Sequence, residues 1–323
     1  MRHLLISILV IASVHTTTAR TRILHQRSLS RWHIAPANYS GITTIGNNRY
    51  AVVDDKSTLD GFHIFTININ PHNGKIKAVN ASALISQVAT DSAEAVRRSR
   101  LDCEDIIYVP SSNSVFIAQE YGCAVAEYNL DGKPTGRQLA LPDYFQLANI
   151  QRNAGFEALA YNDSKQTFYL TTELPLKQDG DLHRIVCFGA DLQPCGEIRY
   201  RMDAPEIKSN VKYYARGIVA MTAMPNGNLL IMERELSIPT RYIGGKCRIK
   251  LYEITDSGSS SKHLFATFTT RINRLNYANY EGMCLGPTLS NGHRTLLLIN
   301  DSQAGARKGS FRLKDYLKII VLP

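Results

Sequence analysis

The sequence predicts an all-β fold, a β-propeller of four-stranded antiparallel blades. A hairpin pattern recurs five times along the chain, and amphipathic helical windows are almost absent. A third observation separates a propeller from a pair of β-sandwiches, which also consist of many short strands. An acid returns at the same two places of each unit, which a sandwich would not explain.

The units open at Ser40-Gly41-Ile42, Cys103-Glu104-Asp105-Ile106, Gly155-Phe156-Glu157-Ala158, Arg216-Gly217-Ile218-Val219 and Tyr280-Glu281-Gly282-Met283. Positions 41, 104, 157, 218 and 281 are equivalent, so the period is 53 to 63 residues. A turn follows each opening: Gly46-Asn47-Asn48, Pro110-Ser111-Ser112-Asn113, Asn162-Asp163-Ser164, Pro225-Asn226-Gly227 and Ser290-Asn291-Gly292. These are residues that accept left-handed backbone or preset a turn. An apolar strand then runs to Asp54, Glu120, Glu173, Glu233 or Asp301, which completes a hairpin.

Third and fourth strands follow in the first four units, for example Ala124 to Asn129 and Ile76 to Val79. The fifth unit runs short of strands, and Arg22 to Leu29 can supply the missing one by pairing first with last, which removes exposed sheet edges. The count is five blades, with six kept open because residues 86 to 101 or 200 to 215 have room for another. Ser82 to Arg100 is expected to be a short helix between blades.

Residues 1–19 read as an export signal, with Arg2 and His3 before the apolar run Leu4 to Val14 and a small-residue cleavage site at Thr17 to Ala19. Residues 20–323 then form a single propeller domain, secreted or periplasmic. No later run reaches the roughly 18 apolar residues of a membrane-spanning helix. With 44% hydrophobic and 20% charged residues among 323, the chain can build a large core and is not of disordered composition. Its net charge of +9 is scattered. That pattern argues against a nucleic-acid-binding arm and suggests a small anionic partner for a monomeric protein.

Six cysteines in an exported chain suggest disulfides, with Cys187–Cys195 and Cys103–Cys123 the easiest pairs to draw; buried free thiols are the alternative. No spacing resembles a zinc site.

The start of a hairpin's first strand and the end of its second lie at one sheet edge. If first strands line the axis, Glu104, Glu157 and Glu281 at the openings and Asp54, Glu120, Glu173, Glu233 and Asp301 at the closings encircle one channel mouth. Crowded carboxylates repel, raise their pKa values and favour a hard cation with oxygen ligands, Ca2+ above all. The competing reading has these acids capping strand ends by accepting backbone N–H groups. Arg216 interrupts the acidic series and suggests an anion held opposite a metal, while Lys56 and Arg234 stand beside motif positions.

The runs Asn38-Tyr39-Ser40-Gly41-Ile42 with Tyr50 to Asp55, Gly155 to Ala160, and Tyr280 to Met283 with Ile299 to Ser302 resemble the phytase-like family named for "esterase-like activity of phytase". The resemblance covers most of the chain after Arg22. It implies a secreted or periplasmic propeller with phosphoester or ester hydrolysis, and it assigns no catalytic residue.

A serine esterase would need a nucleophile elbow, and no Gly-x-Ser-x-Gly occurs. Metal-assisted phosphoester hydrolysis needs only clustered acids, a divalent ion and cations for the remaining charge. Under that reading Glu157, Glu281 and Arg216 act on the substrate, and Glu104, Glu157, Glu281, Asp54, Glu173, Glu233 and Asp301 supply metal ligands. The alternative is a non-catalytic platform for a glycan or other ligand, with a structural cation and loop aromatics Tyr121, Tyr144, Phe145, Tyr213, Tyr214, Tyr242 and Tyr277 as its surface.

Overall fold

A computed structural model describes residues 21–57, 59–87, 102–120, 123–207, 210–255, 262–308 and 311–323. The predicted leader at 1–19 and Tyr121 lie outside the described residues, as does 88–100 of the expected helix; residues 82–87 form no helix. Among the described residues no helix is long and apolar enough to cross a membrane.

Two short strands come first, β1 (Arg22–Ile23) and β2 (Arg27–Ser28). The first blade contains β3 (Tyr39–Thr44), β4 (Arg49–Asp54), β5 (His63–Ile69) and β6 (Ile76–Ala81). The second contains β7 (Cys103–Val109), β8 (Ser114–Gln119), β9 (Ala124–Asn129) and β10 (Pro134–Gln138). The third is β11 (Phe156–Asn162), β12 (Thr167–Thr172), β13 (Leu182–Phe188) and β14 (Pro194–Arg201). The fourth is β15 (Tyr213–Ala223), β16 (Leu229–Ile238), β17 (Lys246–Ile254) and β18 (Lys262–Arg271). The fifth holds β19 (Asn279–Thr288) and β20 (Arg294–Asp301). After a small hairpin of β21 (Arg307–Lys308) and β22 (Phe311–Arg312), β23 (Tyr316–Val321) returns to it.

Among the described residues all blade pairings are antiparallel and the blades number five; residues 88–101, within the first interval kept open for a sixth, lie outside them. Residues 200 and 201 end the third blade and 213 begins the fourth, so that interval hides no sixth. As expected from the sequence, β1 and β2 both pair with β23 and supply the outer edge of the fifth blade.

Burial explains the layering within a blade. All six residues of β8 are buried, as befits a strand covered on both faces, whereas four of five positions in β10 are exposed at the rim. Apolar faces of adjacent blades pack together, with Phe116 and Phe168 rings 4.8 Å apart and Phe145 and Phe156 5.1 Å apart between the second and third blades.

The first strands β3, β7, β11, β15 and β19 neighbour one another in a closed ring around the axis. Two contacts stitch that ring: Leu159 N–H donates to Asp105 Oδ2 at 2.8 Å and Tyr108 N–H to Thr43 Oγ1 at 3.2 Å. Close approach also requires glycine. A Cβ on Gly41 would lie 2.5 Å from Asp105 Cα, and one on Gly282 only 2.1 Å from the Ser40 carbonyl oxygen.

The cysteine expectation is corrected. All six cysteines are free thiols. Cys187 stands opposite Gly196, and exposed Cys195 falls in the register irregularity beside it, so the two are not cross-strand partners. Cys103 is buried at the start of β7, while Cys123 Sγ faces the Glu120 carbonyl at 3.6 Å.

Candidate active site at the axial mouth

Every first strand breaks register at the same mouth of the ring. The breaks lie between Tyr39 and Ile42, Cys103 and Asp105, Phe156 and Ala158, Ile218 and Ala220, and Tyr280 and Gly282. A β-bulge leaves one residue unpaired and re-aims its side chain. The extra residues are Glu104, Glu157 and Glu281 in three blades, Val219 in the fourth, and one of Ser40 and Gly41 in the first. The recurring opening acids of the sequence are therefore bulge residues.

The bulges also reset the closing positions. Backbone N–H groups of Asp55, Glu120 and Glu173 donate to the carbonyls of Asn38, Asp102 and Gly155, each at 2.9 Å. Arg234 pairs with Gly217 and Asp301 with Asn279 at the same level. The equivalent closing residues are thus Asp55, Glu120, Glu173, Arg234 and Asp301. Asp54 and Glu233 sit one residue away and face elsewhere, since a one-residue step in a strand changes the face. Asp54 Oδ1 accepts the N–H groups of Asn38 at 3.2 Å and Lys56 at 3.3 Å, as a strand cap would. Glu233 braces the outer side of the fourth blade, accepting from Tyr200 Oη at 2.6 Å and Lys262 Nζ at 2.9 Å.

These residues surround a cavity of about 1060 Å3 that takes in Asp55, Glu104, Glu120, Glu157, Glu173, Glu281 and Asp301 together with Lys56 and Arg234. Arg234, only 6% exposed, is the central counter-ion. Its guanidinium donates to Glu173, to Glu281 Oε1 at 2.5 Å and to Asn279 Oδ1 at 3.2 Å. Asn279 Nδ2 also donates to Glu281 Oε1 at 2.7 Å. Lys56 bridges Asp55 at 2.7 Å and Asp102 at 3.3 Å. Glu104 accepts from Ser40 Oγ at 3.2 Å, and Glu120 from the Gly155 N–H at 2.9 Å. Glu157 accepts no hydrogen bond among the described residues.

Charge is left over. Burial first, and then the carboxylates of Asp55, Glu281 and Glu120, hold the Glu104 carboxyl well above its usual range. Burial together with Glu104, Glu173 and Glu281 does the same for Glu157, against the pull of Arg234. Burial pushes Glu281 up to about 7 although Arg234 opposes it. Asp301 is raised by burial and by Glu281. Arg234 itself is held more firmly protonated by Glu173 and Glu281, which outweigh its burial.

Arg216 borders the cavity, with its guanidinium donating to the Asp203 carbonyl. That bond ties the rim to the loop at 203–207, whose Glu206 and Ile207 N–H groups donate to the Glu235 carboxylate at 3.0 Å. Arg152, Lys212 and Arg307 line the cavity as well, and no repeat marks them in the sequence. Tyr213, Tyr214, Tyr242 and Tyr277 line it, whereas Tyr144 and Phe145 pack against each other and the core instead.

The donor chemistry of this floor, carboxylate oxygens with one serine hydroxyl, fits a hard divalent cation. Among the described residues no three acids, histidines or cysteines converge at ligand spacing, so the side chains would have to draw inward around an ion.

Fold and mouth together define a five-bladed β-propeller with a buried acidic axial cavity. The chain belongs to the phytase-like family, "esterase-like activity of phytase", whose pattern matches residues 36–303. No curated protein sequence matches it. Among solved structures it resembles an endo-1,4-β-xylanase from Bacteroides thetaiotaomicron, with TM-score 0.50 and 12% identity over 88% of this chain and 92% of that one. An exo-β-1,3-galactanase from Clostridium thermocellum gives TM-score 0.51 and 13% identity over 92% and 62%. At such identities the likeness concerns the fold alone.

Proposed function

We propose that the chain is an exported, monomeric hydrolase of small anionic esters, phosphoesters above all, that works with Ca2+ at the axial mouth. The observation that carries this is the layering of charge. Carboxylates at the bulges line the inner part of the cavity. Arg152, Lys212 and Arg307, from segments that lie outward of the bulges along the chain, line it as well and are taken as a cationic rim. A cationic rim concentrates anions at the entrance, and an acidic floor repels them unless a cation is held there.

Glu104, Glu173, Glu281 and Asp301 are the residues to hold Ca2+, joined by Asp55, while Asp54 and Glu233 belong to the wall. When bound, the ion supplies charge stabilisation at the ester oxygen and a more acidic water. Glu157 makes no hydrogen bond among the described residues, and burial with the neighbouring carboxylates favours its protonated form, so it is the group to transfer a proton. Arg234 and Asn279 hold Glu281 in place by donating to its Oε1. Arg216 borders the mouth with its guanidinium on the Asp203 carbonyl, and it would have to leave that bond to meet the anion.

Hydrolysis of p-nitrophenyl phosphate by the mature chain is expected with Ca2+ and not with EDTA. Glu157→Gln should lower kcat about 10²- to 10⁴-fold, the size of a general acid–base contribution. Tight phosphate binding with no turnover in the wild type would instead make the mouth a recognition platform.

A further inference from the structure

The wall above the acidic floor is uneven. Strands β15 and β16 have 11 and 10 residues, against 7 and 6 for β7 and β8. Outward of the bulge at Val219 they continue through the pairs Gly217–Arg234, Ala215–Leu236 and Tyr213–Ile238. Six residues lie outward of this bulge against one in β7, and the five extra, at about 3.4 Å each, add roughly 17 Å of strand to this side. Period-two alternation puts Arg234, Leu236 and Ile238 on the cavity side and Glu233 and Glu235 on the other, beside Arg248 and Lys250.

Outward of Arg234 the cavity face of this wall carries the apolar residues Leu236 and Ile238 beside the Tyr213 ring. Tyr242 and Ile272, from the adjoining turns, extend it. A Cβ on Gly245 would lie 2.5 Å from Ile272 Cδ1 and 3.1 Å from Ile238 Cδ1, so the two isoleucines close over the same spot. Lys212 Nζ lies 4.7 Å from the Tyr213 ring centre and 5.8 Å from that of Tyr242, which places an ammonium among the rings. Lys56, Glu120, Arg152 and Asn153, from the first three blades, give the cavity a polar side instead.

We propose that this wall is a subsite for the alcohol portion of the substrate and selects phosphoesters of aromatic or similarly flat apolar alcohols. The assignment rests on the hydrolase reading for the ester end, but selectivity at the wall does not require turnover. An apolar ring laid on Tyr213 and Leu236 leaves water while its anionic group remains near the cationic rim. Burying a face of that size is worth about tenfold or more in affinity.

Binding of two non-hydrolysable probes to the mature chain in Ca2+ tests this by calorimetry: 1-naphthylmethylphosphonate and methylphosphonate. The naphthyl probe should bind about tenfold tighter or more. Tyr213→Ala, a change at a residue 49% exposed and therefore safe for folding, should cut that preference below about threefold. Equal affinity for both probes, binding of neither, or a preference that survives Tyr213→Ala overturns the subsite. So does sedimentation showing a second copy of the chain seated on the wall with the naphthyl preference absent. Preference for the naphthyl probe without hydrolysis of 1-naphthyl phosphate would sink the hydrolase reading alone, and equal hydrolysis of 1-naphthyl and glycerol phosphates would sink the subsite alone.

Discussion

Arg234 decides how much of the acidic floor can be ionised. It is buried and donates to both Glu173 and Glu281. Removing one partner of a buried pair costs about 3 to 5 kcal/mol because the other is left uncompensated. Arg234→Met should therefore lower stability by about that amount in urea denaturation. The loss should be larger at pH 8 than at pH 5, since protonation relieves the stranded carboxylates at low pH. Glu281 makes a related prediction on its own. Its pKa is raised from 4.5 to about 7 in the folded chain, so its contribution to stability is fully present below pH 4.5 and is lost as pH rises through about 7. Without added Ca2+, Glu281→Gln should flatten the pH dependence of Tm across that window. An unchanged profile would mean that Glu281 is ionised throughout.

Bulges and glycines are the devices that build the mouth. A Cβ on Gly282 would meet a backbone oxygen, which cannot rotate away as a flexible side chain can. Gly282→Ala should cost about 1 to 3 kcal/mol by overpacking, readable as a fall in Tm, while Gly292→Ala, in an open turn at φ 85°, reports only backbone strain. The same devices explain what could and could not be read in advance. Hairpins, turns and the inward aim of Glu104, Glu157 and Glu281 were legible because each leaves residues of a telling type at a fixed spacing. The closing positions of the first and fourth blades were misplaced by one residue because a bulge adds a position that period-two alternation does not reveal. A signal did exist: Gln119, Thr172 and Asn300 each precede the closing acid. Aligning that polar–acid pair would have matched Asp54-Asp55 and Glu233-Arg234 and put an arginine in the acidic ring. The raised apolar wall was not legible, since Leu236, Ile238 and Ile272 look like ordinary strand and turn residues until their strands are known to outgrow the others.

At the scale of the molecule, closure comes from residues 22–28 lying against 316–321. Lys318 strengthens the seam; its Nζ donates to the Leu24 carbonyl at 3.0 Å, and burial lowers its pKa to about 8. A chain beginning at residue 30 should leave part of the β23 edge unpaired. It should show a lower Tm and a concentration-dependent shift to larger species in size-exclusion chromatography, whereas a monomer of unchanged Tm would show that the seam is dispensable. Ca2+ should raise the Tm of the intact protein and lower the pH sensitivity described above, because a bound cation replaces protons as the compensation for the floor.

The seam has a kinetic corollary. Arg22 and Ile23 must wait for Val321 and Ile320, far along the chain, so the final ladder cannot zip until synthesis has passed the last of them. Four sheets are local and can assemble in order of emergence; the fifth must wait. During that wait the hydrophobic flank of the last hairpin is uncovered, and any helper that guards nascent chains would find its target there.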